Sequence, residues 1–181
     1  MGDKRIYLVL LAIGILLVAD IGLYFRLDHL EDRVQYISRF FRDPEPLAHG
    51  EKAPDFSLVD TSDKSISRSD YEGVPLLLVF SSIDCPACQA FWSDLRAFHE
   101  SHPSIQVLMI SRGEPHENKS VAEDQRFDFP VLQWDDEMAR AFKVPGLPYI
   151  YLISNNGLIE FSAFGNGING IDETILEGAG R

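Results

Sequence analysis

The stretch "VPLLLVFSSIDCPACQAFW", residues 74–92, carries both cysteines of this 181-residue chain. Its first nine residues form an apolar run of strand length, the pattern of a central strand buried on both faces. A helical stretch follows from Pro86 to about Ser101, in which Ala90, Phe91, Leu95 and Phe98 share an inward face. Pro86 takes the first helical position, where its fixed φ fits and its missing N–H costs nothing. Cys85 therefore stands at the leading end of a helix, beside free N–H groups and partial positive charge. Both favour the thiolate, the nucleophilic form of cysteine. Asp84 opposes that charge by repulsion, so helix and carboxylate act on the sulfur in opposite senses. Cys88 sits one turn further in, within disulfide reach and more shielded. As a redox pair, Cys85 attacks a substrate disulfide and Cys88 resolves the mixed disulfide.

Two other uses of such a pair compete. A structural disulfide closing so short a loop removes little entropy from the unfolded chain, so stability is a poor reason for it. A metal site would have to recruit His99 and His102, which follow at a superficially finger-like spacing. If Cys88 and His99 share one helix, a rise of about 1.5 Å per residue separates them by about 16 Å. Zinc–ligand bonds of about 2 Å cannot span that. Haem attachment would need histidine after Cys88, where Gln89 stands. The reading is a redox-active Cys85–Cys88 disulfide with no metal and no other cofactor.

Upstream, residues 1–26 read as a transmembrane anchor. After Lys4 and Arg5, "IYLVLLAIGILLVADIGLYF" contains a single charge, Asp20. Its length suits a helix crossing the roughly 30 Å hydrocarbon core, with Tyr7 and Tyr24 near the interfaces. No small-x-small cleavage site follows a short apolar core, which favours an uncleaved anchor. Residues 27–52 read as stalk and linker. Leu27, Leu30, Val34, Ile37 and Phe41 make an amphipathic helical seam through which two copies could pair. Pro44, Pro46 and Gly50 then break regular structure.

Residues 53–181 read as one α/β domain. "DFSLVD" and "SISRS" suggest a short hairpin, and "SIQVLMISR" a second buried strand. "NKSVAEDQRF" and "DDEMARAF" read as surface helices. "YIYLIS" and "LIEFSAF" form a hairpin turning at Asn155-Asn156-Gly157, with a final helix near Asp172 to Glu177. The formal charge of −12 is uneven: up to Arg42 there are six Lys and Arg against five Asp and Glu, and beyond it ten against twenty-three. An acidic domain repels phosphate backbones, which argues against nucleic-acid binding.

"APDFSL", the buried strand leading into "CPAC", and "VPGLPYIYLISNNG" together resemble the thioredoxin fold over about residues 53–178. The resemblance implies a mixed central sheet flanked by helices. It implies a cis Pro148 packed beside the disulfide and a Leu147 backbone that binds the substrate's extended chain, so both residues are expected substrate contacts. With the anchor, the chain looks like membrane-tethered TlpA/ResA-type thiol–disulfide oxidoreductases. "FSSIDCPACQAF" looks most like the branch that includes the methylamine-utilisation protein MauD. The implied activities are formation, reduction or isomerisation of disulfides in exported proteins, including enzyme subunits or apocytochromes. The chain departs from the pattern where thioredoxins carry a buried Asp, here Val79, and where ResA-like members carry Glu, here Phe91. Tryptophan usually precedes the first cysteine, and Asp84 replaces it.

The expected catalytic residues are thus Cys85 and Cys88, with Asp84, Pro86 and Ala87 as neighbours. Two other function classes stay open. A thiol peroxidase is suggested by Ser82-Ile83-Asp84-Cys85, although Leu78 stands where that motif has proline. A non-catalytic tethered scaffold would carry an inert disulfide. The positive N-terminus and redox chemistry together favour a bacterial inner-membrane protein, single-pass, with its catalytic domain on the periplasmic side. The expected partners are exported protein thiols or disulfides, the membrane, and a membrane-bound redox partner.

Overall fold

The computed structural model describes Leu10 and residues 45–171. The expected anchor (Leu10 apart), the stalk seam and the final helix lie outside the described residues. Among those described, no helix is long and apolar enough to cross a membrane.

Two short strands, β1 (Ser57–Val59) and β2 (Ser65–Ser67), form the expected antiparallel hairpin. β3 (Leu76–Ser82) leads into α1 (Pro86–Ser101), β4 (Gln106–Arg112) and α2 (Pro115–Asp124). β5 (Val131–Gln133), α3 (Asp136–Ala141), β6 (Tyr149–Ile153) and β7 (Ile159–Phe164) follow. The main sheet runs β5-β4-β3-β6-β7. β3 pairs in parallel with β4 and antiparallel with β6, so the sheet is mixed as expected.

β3 lies at the centre of this sheet, and every one of its residues is buried. Its two faces feed separate cores because side chains alternate along a strand. Leu77 and Val79 meet Phe91, Trp92, Leu95 and Phe98 of α1. Leu76, Leu78 and Phe80 meet Met138 of α3 and Phe142 just beyond it. Burying a side chain such as Leu95 completely is worth about 1.5–3 kcal/mol, so these contacts hold α1 against the sheet. Leu47 also packs into the second core, and the Gly50 N–H bonds the Ile159 carbonyl at 2.8 Å.

Two local differences from the sequence reading have clear causes. α2 starts at Pro115, three residues earlier than the apolar pattern suggests, because Glu114 and Glu117 form a reciprocal capping box. β5 was not expected. Its three residues are too few for a period, and it exists because Val131 and Leu132 register against Met109 and Ile110 of β4. The Asn155-Asn156-Gly157 turn is present, with Gly157 at φ 81°.

Candidate active site

Cys85 is the N-cap of α1, and Pro86 follows at the head of the helix. The Cys85 sulfur accepts a hydrogen bond from the Cys88 N–H at 3.3 Å. One of the four orphan amides of the helix start is thereby satisfied by sulfur instead of by a cap oxygen. The Cys85 thiol in turn donates to the Leu147 carbonyl at 3.9 Å. Both cysteines are free thiols; Cys85 is half-buried, whereas Cys88 is 0% exposed.

The remaining predicted residues surround this pair. Asp84, Pro86 and Ala87 are exposed around Cys85. The Leu147–Pro148 peptide is cis, and Pro148 is buried. The structure thus brings together Cys85, Cys88, Leu147 and Pro148, which are 59 or more positions apart in sequence between their two groups. His99 pairs with Asp128 at 3.3 Å and His102 stacks on Phe98, so neither ring turns to the thiols.

A groove of about 420 Å³ opens beside the pair, between Ala87 and Ala90 of α1, the Leu147–Pro148 loop and Phe164. Its floor needs a glycine. A Cβ on Gly165 would stand 2.8 Å from the Phe91 ring and 2.9 Å from Pro148. The Gly165 N–H also bonds the Pro148 carbonyl at 3.0 Å, which ties the end of β7 to the loop. Phe164, 50% exposed, forms the groove's apolar rim. Sequence reasoning missed Phe164 and Gly165. The available signal was an aromatic residue at an outward strand position directly before glycine.

Burial pushes the Cys88 thiol up to about 11, and its hydrogen bond with Cys85 adds to that. The Ser82 backbone N–H and the Ser81 hydroxyl act in the opposite direction. Ser81 was also passed over, and Ser82 entered only through the peroxidase-like stretch Ser82-Ile83-Asp84-Cys85. Two hydroxyls closing an otherwise apolar buried strand were the visible sign.

Residues 49–162 match the AhpC/TSA family. The chain belongs to the AhpC/TSA family. Among its relatives in that fold, the thiol-disulfide oxidoreductase ResA of Geobacillus thermodenitrificans is 29% identical over 128 residues, 68% of this chain and 73% of the relative. The methylamine utilization protein MauD of Methylophilus methylotrophus is 28% identical over 178 residues, 95% of this chain and 80% of the relative. The solved thioredoxin domain of a thiol-disulfide oxidoreductase from Bacteroides vulgatus superposes with a TM-score of 0.65. It covers 71% of this chain and 98% of its own at 19% identity, a likeness of fold. The kinship expected from the sequence, with ResA and MauD on a thioredoxin-like fold, holds. So does the enzyme class of this AhpC/TSA member, a thioredoxin-like thiol–disulfide oxidoreductase.

Proposed function

We propose that the chain exchanges disulfides with exported protein thiols through Cys85 and Cys88, from an anchor formed by residues 1–26. The carrying observation is the asymmetry of the two sulfurs. Cys85 reaches the surface at a helix start beside the Leu147 carbonyl, while Cys88 is sealed behind it with its N–H on the Cys85 sulfur. In the reducing direction the Cys85 thiolate attacks one sulfur of a client disulfide, and the other client sulfur leaves with the electron pair. Cys88 then attacks Cys85, closing the intramolecular disulfide and freeing the second client thiol. The oxidising direction runs the same bonds in reverse. Leu147 presents its backbone to an extended client segment next to the reacting sulfur, and the groove along Phe164 takes an apolar client side chain.

The likeness to MauD runs through 95% of the chain, which supports a function for the N-terminal segment too. On this reading the domain is held on the periplasmic side of a bacterial inner membrane and is recharged by a membrane-bound redox partner. The test is client trapping in cells with Cys88→Ser, which leaves Cys85 unable to be resolved. Mixed disulfides on Cys85 with exported proteins are the expected result, and none forming would defeat the proposal. Insulin reduction without peroxide consumption separates it from a thiol peroxidase, and loss of activity in Cys85→Ala separates it from an inert scaffold.

A further inference from the structure

Cys88 faces a difficulty in the exchange just proposed. Its sulfur is sealed from water, yet it must carry negative charge as it attacks Cys85. Burial disfavours that charge, and the thiol sits at about 11. The charged groups nearby give no help. Asp84, just ahead of the helix, and Asp94 on it are exposed. Arg112, at the end of β4, lies over the Trp134 ring and pairs with Asp136 at 3.7 Å. The Leu147–Pro148 loop brings no charge. Cys85 is the titratable group that acts on Cys88, and it opposes ionisation until it enters the mixed disulfide.

The end of β3 supplies the groups that favour the thiolate, the Ser82 backbone N–H and the Ser81 hydroxyl. Ser81 lies on the face of β3 that it shares with Leu77 and Val79, which packs on Phe91, Trp92 and Leu95 of α1. Ser81 is 0% exposed, and its oxygen accepts the Trp92 indole N–H at 3.1 Å. An indole N–H can only donate, so this contact occupies a lone pair and leaves the Ser81 proton for the sulfur. Trp92 lies one turn beyond Cys88 on α1, so a single helix carries both the thiol and the indole that orients its partner. Across the parallel ladder, Ser111 registers with Ser81 and is equally buried, but its hydroxyl has no hydrogen-bond partner among the described residues.

We propose that Ser81, held by Trp92, is the positioning residue that lets the sealed Cys88 act as the resolving nucleophile. The inference rests on the exchange reaction proposed above. In the resolving step a bond forms between the Cys88 and Cys85 sulfurs while the bond from Cys85 to the client sulfur breaks. The electron pair departs on the client sulfur, and the proton that Cys88 gives up is matched by one that the client thiolate takes up. Ser81 keeps its own proton and donates a hydrogen bond to the developing thiolate.

An aromatic disulfide reagent that liberates a coloured thiolate separates the two steps. The first release reports attack by Cys85, and the second reports resolution by Cys88. Ser81→Ala is expected to leave the first phase unchanged and slow the second by about tenfold to a hundredfold near neutral pH, the range of one hydrogen bond to a charged group. The pH profile of the second phase should move upward. Ser111→Ala, equally buried, should change neither phase. Trp92→Phe, which keeps Ser81 but frees its hydroxyl to turn, should slow the second phase by less, and it carries the test if Ser81→Ala does not fold. A second phase untouched by Ser81→Ala, or slowed equally by Ser111→Ala, overturns the inference. Absence of the first phase in the wild type defeats the exchange reading instead. Ser81 is then judged by NMR titration of an isotope-labelled Cys88 β-carbon, where no movement on Ser81→Ala overturns its role.

Discussion

Alkaline pH should destabilise the reduced protein through Cys88. The thiol titrates at about 11 in the fold, against an ordinary value of 9.0, chiefly because burial penalises its charged form. Between those two values the unfolded chain has lost the proton and the folded chain still holds it. Stability from this source is therefore fully present below about pH 9 and is lost as pH rises through about 11. At about 1.4 kcal/mol per pH unit the whole effect is about 3 kcal/mol, of which about 2 kcal/mol is gone by pH 11. Urea unfolding under reducing conditions, from about pH 8 to about pH 11, measures it as the difference between wild type and Cys88→Ala. Tyr151, raised by its own burial, is present in both proteins and cancels. The difference should shrink in favour of the variant as pH climbs. A flat difference across that range would refute the claim that burial holds Cys88 in its protonated form.

Gly165→Ala should destabilise by about 1–3 kcal/mol and slow disulfide exchange, because the new methyl meets Phe91 and Pro148 at under 3 Å; thermal unfolding and insulin reduction check both. Tyr151→Phe should cost about 2 kcal/mol in denaturant unfolding. It removes the hydroxyl that donates to the Phe142 carbonyl at 2.6 Å and accepts the Leu47 N–H at 3.3 Å, leaving both buried groups unpaired. Phe164→Ser should leave stability within about 1 kcal/mol, since the ring is half exposed, and should raise KM for protein clients with kcat little changed. An unaltered KM would remove the groove from client binding.

Legibility in the sequence followed the kind of signal each element sends. β3 and α1 were readable because an apolar run of strand length and a helical face with proline at its head each satisfy a local rule. The β6–β7 hairpin was readable because only a residue tolerant of positive φ suits the turn at Gly157. β5 was not, since three residues carry no period and owe their conformation to the neighbouring strand. The site divides in the same way. The cysteines announced themselves by spacing, whereas Ser81 looked like the tail of a strand until Trp92 was seen to bond it.

By itself the sequence determined which atom can lead: a cysteine directly before proline at a helix start has free amides beside it wherever that helix packs. It also set the mixed α/β order, through alternation and length. Only the tertiary structure decided how completely Cys88 is sealed and what surrounds it. Leu147 reaches Cys85 across 61 intervening residues, and Gly165 reaches Pro148 through the pairing of β6 with β7. Such contacts depend on strand register and on how closely two backbones can approach, and neither quantity is encoded in any one stretch of chain.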